Sequence, residues 1–104
     1  MTPITDDEQQ LDAAFKALAS APRRHLLRIV AQHTASGCCA ECGPEDVCAC
    51  ELADALGLAA STISHHMGVL VGAGLVSATK RGLWVYYRLE RETLARVAAE
   101  LGSL

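Results

Sequence analysis

All five cysteines of the chain, Cys38, Cys39, Cys42, Cys48 and Cys50, fall within residues 38–50. Thiolates are soft donors, so such a cluster can bind a thiophilic ion, hold a structural zinc, or cycle between thiol and disulfide. A structural disulfide is the weakest reading. The cysteine number is odd, and the N-terminal MTPITDDEQQ lacks the basic and apolar regions of a secretory leader. Cys39-x-x-Cys42, joined by the Cys48 and Cys50 sulfurs, offers a zinc ion four thiolates. The vicinal pair Cys38-Cys39, in a flexible stretch, suits an ion that needs only three, and spacing alone does not name that ion. Gly37, Gly43 and Pro44 make the early part a loop, and Asp46 is placed to cap a helix beginning around Val47. Cys48 and Cys50 then sit in or beside a helix N-terminus, where partial positive charge favours thiolate. No glycine-rich phosphate loop or paired-carboxylate site accompanies the cysteines and histidines, so neither an enzyme nor a small organic substrate is expected.

The stretch that must position these thiols runs from Cys48 to Val76. Leu52, Ala53 and Leu56 mark one face of a short helix, and Gly57 supplies the left-handed residue that ends it. A second helix follows with an apolar stripe of Ile63, Met67, Leu70 and Val71. Its other side carries Ser61, Thr62, Ser64, His65 and His66, small and polar with no acid among them. Two short helices joined by a three- or four-residue turn containing glycine read as a helix-turn-helix, with these five residues as the DNA contacts. Short hydroxyl side chains donate to phosphates or base edges without holding the helix away from the groove. After Gly74, two β-rich runs, Leu75 to Thr79 and Leu83 to Leu89, flank Lys80-Arg81-Gly82. This is a hairpin signal with Lys80 and Arg81 at its tip, in the position of a DNA-binding wing.

Around that stretch, Thr5-Asp6-Asp7-Glu8 fits a capping box for a first helix buried through Leu11, Ala14, Phe15 and Leu18. Ser20 and Pro22 open a second helix with a wide apolar face, leaving Arg23, Arg24 and Arg28 on its exposed side. A last helix presents Leu94, Val97, Ala98 and Leu101, which with Leu11 and Phe15 read as a dimer interface. The net charge of −3 looks wrong for a nucleic-acid binder until it is divided along the chain. Acids crowd residues 1–12 and 41–54, whereas residues 61–91 carry Lys80, Arg81, Arg88 and Arg91 against Glu90 alone, so the DNA face is locally basic. No apolar run is long enough for a membrane span, and a cytoplasmic protein with no membrane partner is expected. Length and the absence of repeats predict a single winged helix-turn-helix domain over residues 1–104. The fold class expected is mainly α with a small β-hairpin, dimerising through its first and last helices.

FKALASAPRRHLLRIV, VCACELADALGLAASTISHHMGVLVGAGLV and RGLWVYYRL together resemble the arsenical-resistance (ArsR/SmtB) family of metal-sensing winged-helix repressors, over about residues 11–90. The resemblance implies a homodimer that holds double-stranded operator DNA when metal-free and releases it when metal binds. It carries ligand roles onto Cys48 and Cys50 of VCAC-EL. Arsenite sensors of the best-known type place a third cysteine where this chain has Ala53, so the third sulfur is expected from Cys39, Cys42 or Cys38, in that order, or from the other subunit. Arsenite or antimonite is the inducer first expected, with cadmium, lead or zinc as alternatives. A thiol-redox repressor and a DNA-binding protein with a purely structural zinc are the competing functions. Relatives that bind zinc or nickel between C-terminal helices use histidines there, and residues 90–104 contain none.

Overall fold

The computed structural model describes residues 6–32 and 47–104. Thr5 of the expected capping box and the loop cysteines Cys38, Cys39 and Cys42 lie outside the described residues. The order of elements is α1 (Asp6–Leu18), α2 (Ala21–Gln32), β1 (Val47–Cys48), α3 (Ala49–Leu56), α4 (Ala60–Gly72), β2 (Val76–Arg81), β3 (Trp84–Leu89) and α5 (Arg91–Gly102). No single helix among the described residues is long and apolar enough to cross a membrane.

α1 opens with Asp6, Asp7 and Glu8 at the positive end of its dipole. Its last carbonyls are closed by arginines of the next helix. Arg23 Nε donates to the Ala17 carbonyl at 2.8 Å, and Arg24 Nη1 donates to that of Leu18 at 2.7 Å. Arg24 and Arg28 are exposed as expected, but Arg23 is half-buried, because it turns back over the end of α1. α5 is tied to α1 by Arg96, whose Nη1 donates to Gln10 Oε1 at 2.8 Å and whose Nη2 pairs with Asp7 at 3.1 Å.

Gly57, at φ 63°, ends α3 and donates its N–H to the Ala53 carbonyl at 2.9 Å. Residues 57–59 are the whole turn, and α3 and α4 meet at a bend of 114°, within the range of a helix-turn-helix. Ile63, Met67 and Leu70 are fully buried, and each such side chain contributes about 1.5–3 kcal/mol by leaving water. Val71 departs from the expected stripe at 37% exposure, since each residue turns the helix by about 100° and carries it past the edge of the buried face. The end of α4 is a Schellman motif. Leu75 N–H donates to the Leu70 carbonyl and Gly74 N–H to that of Val71, both at 3.0 Å, with Gly74 at φ 76° and Leu70 and Leu75 both buried.

The hairpin is one part of a three-stranded antiparallel sheet ordered β1-β3-β2. This extends the expected fold, because residues 47–48 are a strand rather than the start of a helix: Val47 pairs with Tyr87 and Cys48 with Tyr86, and α3 begins only at Ala49. The hairpin runs also shift by a residue or two. Arg81 pairs with Trp84, leaving Gly82 and Leu83 as the turn, so Lys80 and Arg81 end β2 and are not the tip. A two-residue turn of this hand needs positive φ at its first central position, which Gly82 supplies at 62°. Leu83 is the tip residue, 94% exposed.

Gly68 lies mid-helix on the exposed side of α4, and a Cβ added there meets nothing within 4 Å. Gly68→Ala is therefore expected to raise thermal or urea stability by about 0.5–1 kcal/mol. Gly74→Ala is expected to lower it, because the new Cβ combines positive φ with the Gln10 side chain.

Candidate metal centre and nucleic-acid interface

Cys48 ends β1 and also stands as the residue before the first turn of α3, with extended backbone at φ −71°, ψ 140° and no side-chain capping bond. It is 1% exposed, whereas Cys50, within the first turn of α3, is exposed. Their sulfurs lie 2.9 Å apart. That is too long for a disulfide, whose bond is about 2.05 Å. Two thiolates on one tetrahedral ion at about 2.3 Å each stand about 3.7 Å apart, so an opening of less than about 1 Å fits them to a common ion. The exposed Cys50 has room to make that movement while Cys48 stays fixed by strand pairing. The donor set and its spacing therefore suit a thiophilic ion. Among the described residues no group of three or more His, Cys, Asp or Glu side chains gathers at one point. Cys48 and Cys50, the sequence-expected ligands among the described residues, are brought together.

The thiol pair opens on a cavity of about 250 Å³. Its walls come from three elements: Ala49 and Ala53 of α3, Ala60, Ile63 and Ser64 from the first half of α4, and Leu83, Trp84 and Val85 of the wing. Sequence reasoning did not find this junction, because the residues that form it are apolar and widely separated. Cys48 also reaches the wing through the sheet: its strand partner is Tyr86, and the Arg81 guanidinium lies 5.1 Å from the centre of the Tyr86 ring, within cation–π range.

The five DNA-contact residues expected on α4 divide by direction. Ser61 and His65 stand on the ridge opposite the core, in line with Gly68 and Gly72, and all four are exposed. Thr62 is exposed beside this ridge, and Ser64 lines the cysteine cavity. His66 is half-buried on the other flank, where its Nδ1 lies 3.5 Å from Arg23 Nη1. Desolvation, then the charge of Arg23, then His65 hold its pKa below 6.5. Lys80 is exposed and Arg81 partly so, on the same hairpin as Leu83.

Among the residues expected at a dimer interface, Leu11 and Phe15 are half-buried and line a cavity of about 250 Å³ with Glu8, Asp12 and Glu100. Leu94 is half-buried and Leu101 is 57% exposed, whereas Val97, at 6%, is packed into the chain's own core.

A family model described as bacterial regulatory protein, arsR family, matches residues 40–78. The chain is 34% identical over 87 residues to an arsenic resistance transcriptional regulator of Pseudomonas putida, covering 84% of this chain but only 59% of that protein. It is 33% identical over 73 residues to an uncharacterized HTH-type transcriptional regulator of Methanocaldococcus jannaschii, covering 70% of each. Among solved structures, a possible transcriptional regulator for arsenical resistance superposes with a TM-score of 0.67 at 31% identity, over 90% of this chain and 81% of that one.

Trp84 is the sole tryptophan and lines the thiol cavity. Its emission in the reduced protein is expected to change on addition of a thiophilic ion and to stay constant in Cys48→Ser. A change that persists in a Cys48→Ser, Cys50→Ser double variant would place ion binding elsewhere.

Proposed function

The chain belongs to the arsR family of bacterial regulatory proteins, a family of regulators and not of enzymes, and from that premise we propose that it is a cytoplasmic metal(loid)-responsive repressor. The reading is that a homodimer binds operator DNA when its thiols are empty and lets go when Cys48 and Cys50 take a thiophilic ion. Arsenite or antimonite is the first expectation, supported by the arsenic-resistance names of relatives. Cadmium or lead follows, then zinc. The third sulfur comes from Cys39, Cys42 or Cys38, or from the other subunit.

On the DNA side, two α4 helices enter successive major grooves of a two-fold symmetric site. Ser61 and His65 meet base edges, Thr62, Ser64 and His66 lie toward the strands, and Lys80 and Arg81 of each wing meet the flanking backbone. The partly exposed apolar side chains of α1 and α5, Leu11, Phe15, Leu94 and Leu101, supply the surface through which two copies join.

The observation that carries the coupling is the position of Cys48. It is paired to wing strand β3, leads directly into α3, and shares a cavity with the N-terminal half of α4. When Cys48 and Cys50 separate to share an ion, Cys50 moves with the first turn of α3. The three-residue turn at 57–59 leaves little slack between α3 and α4. α4 and the wing then shift relative to each other, and the pair of reading heads no longer matches the operator spacing.

Sulfurs 2.9 Å apart also favour a second reading, a repressor that responds to oxidation by forming a Cys48–Cys50 disulfide. The two separate by conditions. Reduced protein bound to a fluorescent fragment of its own promoter is expected to be released by arsenite or another thiophilic ion, to rebind on chelation with a competing dithiol, and to resist release as Cys48→Ser. Release by oxidant alone, reversed by reductant and indifferent to every ion, would favour the redox repressor. DNA binding that neither disturbs would leave the cysteines a structural role.

A further inference from the structure

The Arg23 guanidinium reaches three groups on two helices. Its Nε donates to the Ala17 carbonyl at 2.8 Å and its Nη2 to the Lys16 carbonyl at 3.4 Å, both at the end of α1. Its Nη1 lies 3.5 Å from Nδ1 of His66 on α4. A guanidinium carries donors only and stays protonated. The ring nitrogen that faces it must therefore present a lone pair, which leaves the proton of a neutral imidazole on Nε2, the nitrogen turned away from Arg23.

The charged and titratable groups that bear on His66 are Arg23 from α2 and His65 from its own helix, whose ring centroid is 5.8 Å away. Partial burial, the first cause, acts with both to disfavour the imidazolium. His66 thus stays neutral at neutral pH, with one donor in a fixed direction. It stands on the flank of α4 beside the outward ridge of Ser61 and His65. A ridge that meets the groove floor brings its flank to the groove wall, where the groups on offer are phosphate oxygens.

We propose that Arg23 is a positioning residue for operator recognition: it docks α4 against the end of α1 and fixes His66 as an Nε2–H donor to a backbone phosphate. This rests on the operator-binding reading above and adds to it a residue of α2. Sequence alone puts Arg23 on a solvated face, and only the fold brings it to the recognition helix.

The test combines ring-nitrogen NMR of the full chain without DNA with operator titrations of four variants. The native protein is expected to show the Nε2–H tautomer of His66, and Arg23→Gln to lose that preference. A glutamine amide nitrogen stands close to where Nε2 was and an asparagine amide nitrogen close to Nδ1. His66→Gln is therefore expected to keep operator affinity within about threefold, while His66→Asn and His66→Ala lose about tenfold. In native affinity the His66 step is expected at a pH below that of an unperturbed imidazole. Arg23→Gln is expected to move that step to higher pH than in the native protein, tightening toward acid, because removing the cationic neighbour raises the His66 pKa while the burial that chiefly lowers it remains. An Nδ1–H tautomer in the native protein, or His66→Gln as weak as His66→Ala, would overturn the assignment. A native chain that binds no operator fragment would instead remove the DNA reading on which the assignment rests.

Discussion

Two backbone pairings, Val47 with Tyr87 and Cys48 with Tyr86, hold the start of the helix-turn-helix to the wing. Without them β2 and β3 would be a two-stranded hairpin held to the rest of the chain only by its packing on the helices. With them the hairpin gains a third strand, its tyrosines enter the core, and the residue that ends the short strand becomes the first of the two thiols. A chemical event at Cys48 therefore acts on a strand, a helix and a cavity wall at once. The proposed link between a thiophilic-ion site and a DNA-reading surface rests on that position.

α4, the proposed recognition helix, has a distinct task on each side. Ile63, Met67 and Leu70 fasten it to the core, Ser64 meets the thiol cavity, His66 meets Arg23, and Ser61 and His65 are left to face outward with two glycines. Both flanks of the outward ridge are thus connected to other parts of the molecule, one to the thiol pair and the wing, the other to α1 and α2. α1 in turn is tied to α5 through Arg96, so the elements proposed to join two copies are one contact away from those that position the reading face. In the proposed dimer, a small change at the thiols would alter the angle at which both copies meet the duplex.

Much of this was legible in the chain because its signals are local. Gly57 and Gly74 end helices through left-handed backbone, and the Ile63, Met67 and Leu70 stripe repeats at helical spacing. What escaped was set by partners distant in sequence. Two residues have no periodicity, so Val47 and Cys48 could not announce a strand before Tyr86 and Tyr87 were placed beside them. Lys80 and Arg81 looked like a tip, but the turn's need for positive φ moved it to Gly82 and Leu83. Arg23 looked like one of three solvated arginines, and only the end of α1 and His66 draw it inward. Apart from the thiols and Ser64, the cavity that joins thiols, α4 and wing is lined by apolar residues that carry no chemical signature of their own.

The central claim is that the thiol pair and the DNA face are coupled, and coupling between two binding sites must be reciprocal. The most direct measurement is the affinity of reduced protein for arsenite, read by Trp84 emission, in the absence and in the saturating presence of an operator fragment. The account predicts weaker ion binding on the operator, by the same factor by which the ion weakens operator binding. Equal ion affinity with and without DNA would contradict it, and Cys48 would then be a ligand with no connection to the reading helix.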